Sequence, residues 1–122
     1  MPFSISYDPN DGIVCVQISG DATHEAYCGF RDEALRMYRE KSCSCLLVDL
    51  RNLVTSKSSI LTCFDFGQSF AHVLPHLRIA HVLPEDEKSR NDVVFTSTVG
   101  ANRGLISKEF MTVEEAKQWQ ME

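Results

Sequence analysis

The sequence predicts an α/β fold, and three observations carry that prediction. Five short apolar or alternating runs read as strands, and four amphipathic stretches read as helices. After the first two strands the two kinds of element alternate regularly. The order is ββαβαβαβα, which argues for a mainly parallel arrangement: a five-stranded mixed sheet flanked by about four helices. At 122 residues the chain reads as one domain, 1–122, and its 43% hydrophobic content supplies an ordinary core without a disulfide or metal staple.

Phe3, Ile5 and Tyr7 alternate with Ser4 and Ser6, the period of a half-buried strand. Pro9-Asn10-Asp11-Gly12 is turn chemistry, and the run from Ile13 to Ile18 alternates again, so the two runs form a hairpin. In the second run Ile13, Cys15 and Gln17 share one face, and Val14, Val16 and Ile18 share the other. Gly20-Asp21-Ala22-Thr23 ends the strand, with Thr23 as N-cap of a helix over 23–41 that carries Tyr27, Phe30, Ala34, Met37 and Tyr38 on its apolar side. The wholly apolar character of Cys45-Leu46-Leu47-Val48, continuing through Asp49 to Leu50, predicts a central strand covered on both faces.

A polar loop from Arg51 to Ser58 leads to a helix over about 59–74, which Pro75 stops. Cys63, Phe64, Gly67, Phe70, Ala71 and Leu74 lie on its apolar face, opposite Asp65, Gln68, Ser69 and His72. Leu77 to Leu83 reads as another inner strand. A helix over 88–101 follows, its propensity weakened by Thr96, Ser97 and Thr98, and Gly104 suits its C-terminal stop. Leu105 to Phe110 makes a last strand. Thr112 and Glu115 then form a capping box for a terminal helix with Val113, Ala116 and Trp119.

The net charge is −5, from 17 acidic against 12 basic residues, and no Lys/Arg cluster is present. Nucleic acid and anionic membrane surfaces are therefore poor partners. The opening Met1-Pro2-Phe3-Ser4 does not begin a signal peptide, and no apolar run approaches the roughly 18 residues of a membrane span. Five cysteines at irregular spacing suit reduced thiols, so a cytoplasmic location is expected.

The order of elements resembles the STAS fold, the SpoIIAA-like domain of anti-sigma-factor antagonists. The telling stretch is Leu47-Val48-Asp49-Leu50, the loop to Lys57, then Ser58-Ser59. In signalling members a strand ending in Asp-Leu is followed by Asp-Ser-Ser-Gly at a helix start, and its first Ser is phosphorylated. Ser58 falls on that position and Ser59 beside it, whereas Lys57 and Ile60 replace the Asp and the Gly. Gly20 to Thr23, Ala101-Asn102-Arg103-Gly104, Phe110, Glu115-Ala116 and Trp119 are similar to an uncharacterised bacterial branch related to CRAL-TRIO lipid-binding domains. That likeness implies a fold and a pocket rather than an activity.

Each candidate for chemistry has a plain structural alternative. Ser58 and Ser59 are phosphate acceptors, or one of them is an ordinary helix cap. Cys43/Cys45 and His72/His76 lack the second ligand pair of a zinc site, so no metal and no cofactor is expected. No catalytic signature such as G-x-S-x-G or a P-loop occurs, so the chain reads as non-catalytic. His24 reads as a surface group and His81 as a satisfied core group. Asn102-Arg103-Gly104 is an anion-binding turn or a plain helix stop, with Asn102 or Gly104 left-handed. Gly67 in mid-helix costs about 1 kcal/mol against Ala, which calls for a reason: close approach to the sheet, or room for an apolar ligand bordered by Phe64, Gly67 and Phe70. The resemblance implies a regulatory module that binds another protein around residues 55–61. The alternative is a binding protein for a small apolar ligand such as a lipid.

Overall fold

Backbone pairing draws the strands into one sheet in sequential order. In the computed structural model, which describes residues 3–8, 13–41, 45–56, 58–74 and 77–121, the elements are β1 (Phe3–Asp8), β2 (Ile13–Asp21), α1 (His24–Lys41), β3 (Cys45–Val54), α2 (Ile60–Val73), β4 (Arg78–Val82), α3 (Glu87–Ala101), β5 (Ile106–Phe110) and α4 (Val113–Gln120). The turn at 9–12 lies outside the described residues. What reads from sequence as a mixed sheet is, strand by strand, a parallel sheet of β2 to β5, with β1 added antiparallel on the β2 edge.

This order decides where the helices go. Each of the three crossovers moves one strand further in the same direction, and right-handed crossovers of that kind put their helices on one face. Val14, Val16 and Ile18 of β2, Leu46, Val48 and Leu50 of β3, and Ile79 of β4 form that face. They pack with Phe30, Ala34 and Met37 of α1, Phe70 and Ala71 of α2, and Val93 of α3. The opposite face carries Ile13, Leu47, Ala80 and Val82, packed on Ala116 of α4. Period-two alternation thus feeds two separate cores.

β3 differs from the sequence reading, which ends it at Leu50 and makes a loop of Arg51 to Ser58. The strand runs on to Val54, and β2 runs on to Asp21 beside it. Gln17 pairs with Asp49 and Ser19 with Asn52, so β3 holds one more residue than β2 between those pairs. That bulge lets Leu50 and Leu53, an odd number apart, enter the same core. Asp49, 8% exposed, sits at the bulge and accepts from the Arg51 backbone N–H at 3.2 Å and from its guanidinium at 2.9 and 2.7 Å. That pairing holds the Asp49 carboxyl below the usual carboxylate value. Gly20, taken from sequence to break β2, is inside it at φ 83°.

The caps follow from residue chemistry. Thr23 accepts from Ala26 N–H at 3.1 Å, Ser59 from Thr62, Asp86 from Ser89 and Thr112 from Glu115. α3 tolerates its hydroxyl run because Thr96 and Thr98 bond back to the carbonyls of Asp92 and Val94, each at 2.9 Å. It ends at Ala101 with Asn102 as a right-handed cap, and the left-handed residue is Gly104, φ 109°, in the turn that follows.

The close approach at Gly67 is to α3 rather than to the sheet. A Cβ on Gly67 would stand 2.7 Å from the Thr96 carbonyl oxygen and 3.1 Å from Val99 Cβ. Because the nearest atom is backbone, Gly67→Ala separates α2 from α3. The clash outweighs the helix-propensity gain of about 1 kcal/mol, and stability falls by about 1–3 kcal/mol in urea unfolding. Unchanged stability would refute this packing.

Candidate functional site

In many open α/β sheets a ligand crevice forms beyond the strand ends where the helices change face. Here α1, α2 and α3 share a face, so the polar constellation lies where the end of β3 meets the starts of α2 and α3. Thr55, just after β3, is 1% exposed and every polar group it has is engaged. Its N–H donates to Ser89 Oγ at 2.9 Å, its hydroxyl donates to Asp92 Oδ2 at 2.6 Å, and its carbonyl accepts from Lys88 Nζ at 2.8 Å. Lys88 also donates to Asp92 at 2.7 Å, and Ser89 donates to Asp86 through N–H and hydroxyl at 3.0 and 2.8 Å. Sequence reading missed this network because its members are isolated polar residues in two segments.

From Thr55 the chain turns, with Ser58 N–H donating to the Thr55 carbonyl at 2.9 Å. Ser58 is half-buried, and its hydroxyl donates to the Ala22 carbonyl at 2.8 Å. With that single proton committed, the Tyr27 hydroxyl, 3.4 Å away, is the donor to Ser58 Oγ. Burial pushes the Tyr27 pKa up to about 12, so this hydroxyl keeps its proton. The cap of α2 is Ser59, exposed, its Oγ accepting from Thr62 N–H at 3.1 Å. The two neighbouring serines therefore do different work. Beside them Ile60 is 60% exposed and Leu61 71%. Lys57 lies outside the described residues.

Beneath this junction a crevice runs between the sheet and the helices. Ile18, Val48, Leu50 and Leu53 floor it, and Tyr27, Phe66, Asp92 and Thr96 are among the residues that wall it. About 50 Å³ of it is open to the centres of water-sized molecules, and it measures about 540 Å³ when the space at its mouth is counted. A few waters fit the enclosed part, while a long acyl chain does not. A second void of about 30 Å³ adjoins it under Gly67 and Phe70. Phe30, Phe66, His81 and Thr96 border both. The aromatic wall is tightly stacked, with Tyr27–Phe66 centroids 4.7 Å apart and Phe30–Phe70 5.5 Å apart.

His81 is the residue whose sequence reading the structure corrects. Instead of a satisfied core group, it is a β4 side chain whose Nδ1 is buried without a hydrogen-bond partner. Burial lowers its pKa from 6.5 to about 4, against a smaller opposing effect of Glu109. Its signal in the sequence was present: it stands two residues after Ile79, on the helix-covered face. Gly67 and Phe70 border the smaller void, whereas Phe64 borders neither and lies under the Arg103 guanidinium at 5.1 Å. Cys63 is fully buried below Tyr27, and burial pushes its thiol up. His24 is exposed, its Nε2 3.5 Å from Cys28 Sγ. Cys43 and His76 lie outside the described residues, and among the described residues no group of three or more His, Cys, Asp or Glu is placed to hold a metal. No described helix is long and apolar enough to cross a membrane.

No family model matches the chain, and no curated protein matches it by sequence. Among solved structures it is similar to the anti-sigma factor antagonist SpoIIAA in its unphosphorylated form, at a TM-score of 0.59 and 16% identity. The match covers 94% of this chain and 92% of that one. At that identity the likeness is one of fold: an α/β, SpoIIAA-like architecture.

The half-buried His81 imidazole makes stability depend on pH. The unfolded chain binds a proton on His81 at 6.5, while the folded protein resists it down to about 4. The contribution is whole above pH 6.5 and is lost as pH falls from 6.5 to about 4. Asp49 and Asp86 are held below 3.8, so their contributions fade at lower pH than this window. Urea unfolding at the two ends of the window measures the loss, and His81→Leu abolishes it. An equal loss in the variant would assign it elsewhere.

Proposed function

We propose that this chain is a non-catalytic regulatory module that binds another protein through the surface around residues 55–61. The observation that carries the reading is the exposure of Ile60 and Leu61, 60% and 71%, side by side at the start of α2. Two adjacent large aliphatics in water contribute nothing to the fold of a lone chain. Fully buried against a partner, each would contribute about 1.5–3 kcal/mol. The SpoIIAA-like fold supports the reading, because the matched structure is that of an anti-sigma factor antagonist, a protein named for acting on another protein.

Ser58 is the proposed modification point, with Ser59 the second candidate, and the geometry gives the two different consequences. A phosphate on Ser58 removes the proton donated to Ala22 and brings nearly two negative charges against that carbonyl, so the β3–α2 turn must shift. A phosphate on Ser59 would sit at the N-terminus of α2, where free N–H groups and the helix dipole favour an anion. Ser58 is thus the position at which modification reshapes the binding surface.

The test uses tagged protein and capture of partners from lysate of the native host. Replacing both aliphatics (Ile60→Ser with Leu61→Ser) abolishes capture, and the far-UV spectrum stays that of the wild type. Ser58→Asp weakens capture, Ser58→Ala retains it, and Ser59→Asp leaves it close to wild type. Identical captured proteins for the double variant and the wild type would overturn the assignment of this surface.

A further inference from the structure

The charge of the chain is unevenly placed, and the imbalance falls beside the docking surface. The parallel strands end on one side of the molecule, where the chain passes from β2 to α1, from β3 to α2, from β4 to α3 and from β5 to α4. The segments that make these passages, 21–25, 49–65, 82–92 and 110–115, hold ten of the 17 acidic residues and four of the 12 basic ones. The seven acidic and eight basic residues elsewhere nearly cancel, so the net charge of −5 comes from these segments. Two of the four cations are already matched, Arg51 by Asp49 and Lys88 by Asp92, each at 2.7 Å. The starts of α1 to α4 add about half a positive charge each, which the carboxylates outnumber.

Carboxylates from three helices accompany the exposed pair Ile60 and Leu61. Asp65 is exposed on α2, one turn on from Leu61 and on the same stripe. Glu25 is exposed in the first turn of α1, and the Ser58–Ala22 hydrogen bond of 2.8 Å brings the start of that helix against the β3–α2 turn. Glu87 is exposed in the first turn of α3, which the Lys88–Thr55 bond, also 2.8 Å, ties to the same turn. We propose that the partner is a protein with a basic rim: an aliphatic groove that takes Ile60 and Leu61, edged by Lys or Arg side chains that meet Glu25, Asp65 and Glu87. The proposal rests on the docking role of Ile60 and Leu61 and adds the charge of what docks there. An acidic rim would meet like charge and be repelled, whereas a basic one is steered in by the opposite potential and weakens as salt screens it.

Two synthetic peptides of about 18 residues, long enough to form a helix with one leucine stripe, serve as probes. Lysine fills the polar face of one and glutamate that of the other. Each is titrated into the full chain and followed by calorimetry and by backbone amide resonances. The lysine peptide binds, moves the Ile60 and Leu61 resonances, and loses affinity about tenfold between about 50 and about 500 mM salt. The glutamate peptide does not bind. Glu25→Gln with Asp65→Asn and Glu87→Gln weakens the lysine peptide about tenfold at low salt, and the far-UV spectrum stays that of the wild type. No binding of the lysine peptide up to about 1 mM, equal binding of the two peptides, binding that leaves Ile60 and Leu61 unmoved, or full affinity in the charge variant would each overturn the basic-rimmed partner. The docking surface is judged separately: if Ile60→Ser with Leu61→Ser still abolishes capture from lysate, that surface stands and only the partner's charge falls.

Discussion

The end of β3 is pinned to the start of α3 by Thr55, and the rest of the functional region hangs from that junction. Thr55, almost wholly buried, offers two donors and one carbonyl acceptor, and Ser89, Asp92 and Lys88 answer each of them. Hydrogen bonds to charged groups are worth about 1.5–3 kcal/mol, and leaving such groups unpaired in the interior costs a similar amount. The network is therefore all or nothing. Fully formed, it fixes the turn that carries Ser58 and Ser59, sets the start of α2, and presents Ile60 and Leu61 outward. It also gives the crevice its polar end.

The bulge in β3 makes that junction reachable. Without the extra residue opposite Ile18, Leu50 and Leu53 would point to opposite faces, and the strand would leave the sheet before Thr55 came under α3. Asp49 takes up the Arg51 N–H at the irregularity, so the bulge is built with its polar groups occupied. A carboxylate in a central strand is costly when bare, and its guanidinium partner offsets that cost. Its location on the face away from the crevice keeps this charge out of that space.

Placing three helices on one face also shapes what the crevice can be. Each helix must pack against the sheet and against its neighbour, and α2 approaches α3 so closely that only glycine fits at position 67. Where the three cannot fill the space completely, small voids remain over the middle of the sheet, and His81 stands in that gap. On the other face α4 is fastened differently, by the Arg78 guanidinium 4.1 Å over the Trp119 ring and by Gln120 donating to the Leu46 carbonyl at 2.8 Å. The two faces are thus asymmetric: a thick, aromatic layer with a crevice, and a thin one held by a few anchored side chains.

Periodicity and capping chemistry made much of the architecture readable in advance. Alternation along β2 separated Val14, Val16 and Ile18 from Ile13 and Cys15, and Thr23, Thr112 and Gly104 marked helix ends because a hydroxyl acceptor or a positive φ is a local need. Ser58-Ser59 was readable as a helix start, since the turn and the cap are written in neighbouring residues. The division of labour between the two serines was not legible, because Ser58 is held by Ala22, 36 residues away. Nor was the continuation of β3 through Arg51 and Asn52, whose polarity says loop while the ladder with Ser19 and Gly20 makes strand. The reason for Gly67, the partners of Thr55 and the burial of His81 Nδ1 likewise depend on which helix lies over which strand. Local sequence determines what each segment prefers to be; contacts between segments far apart in the chain determine which polar atoms are answered.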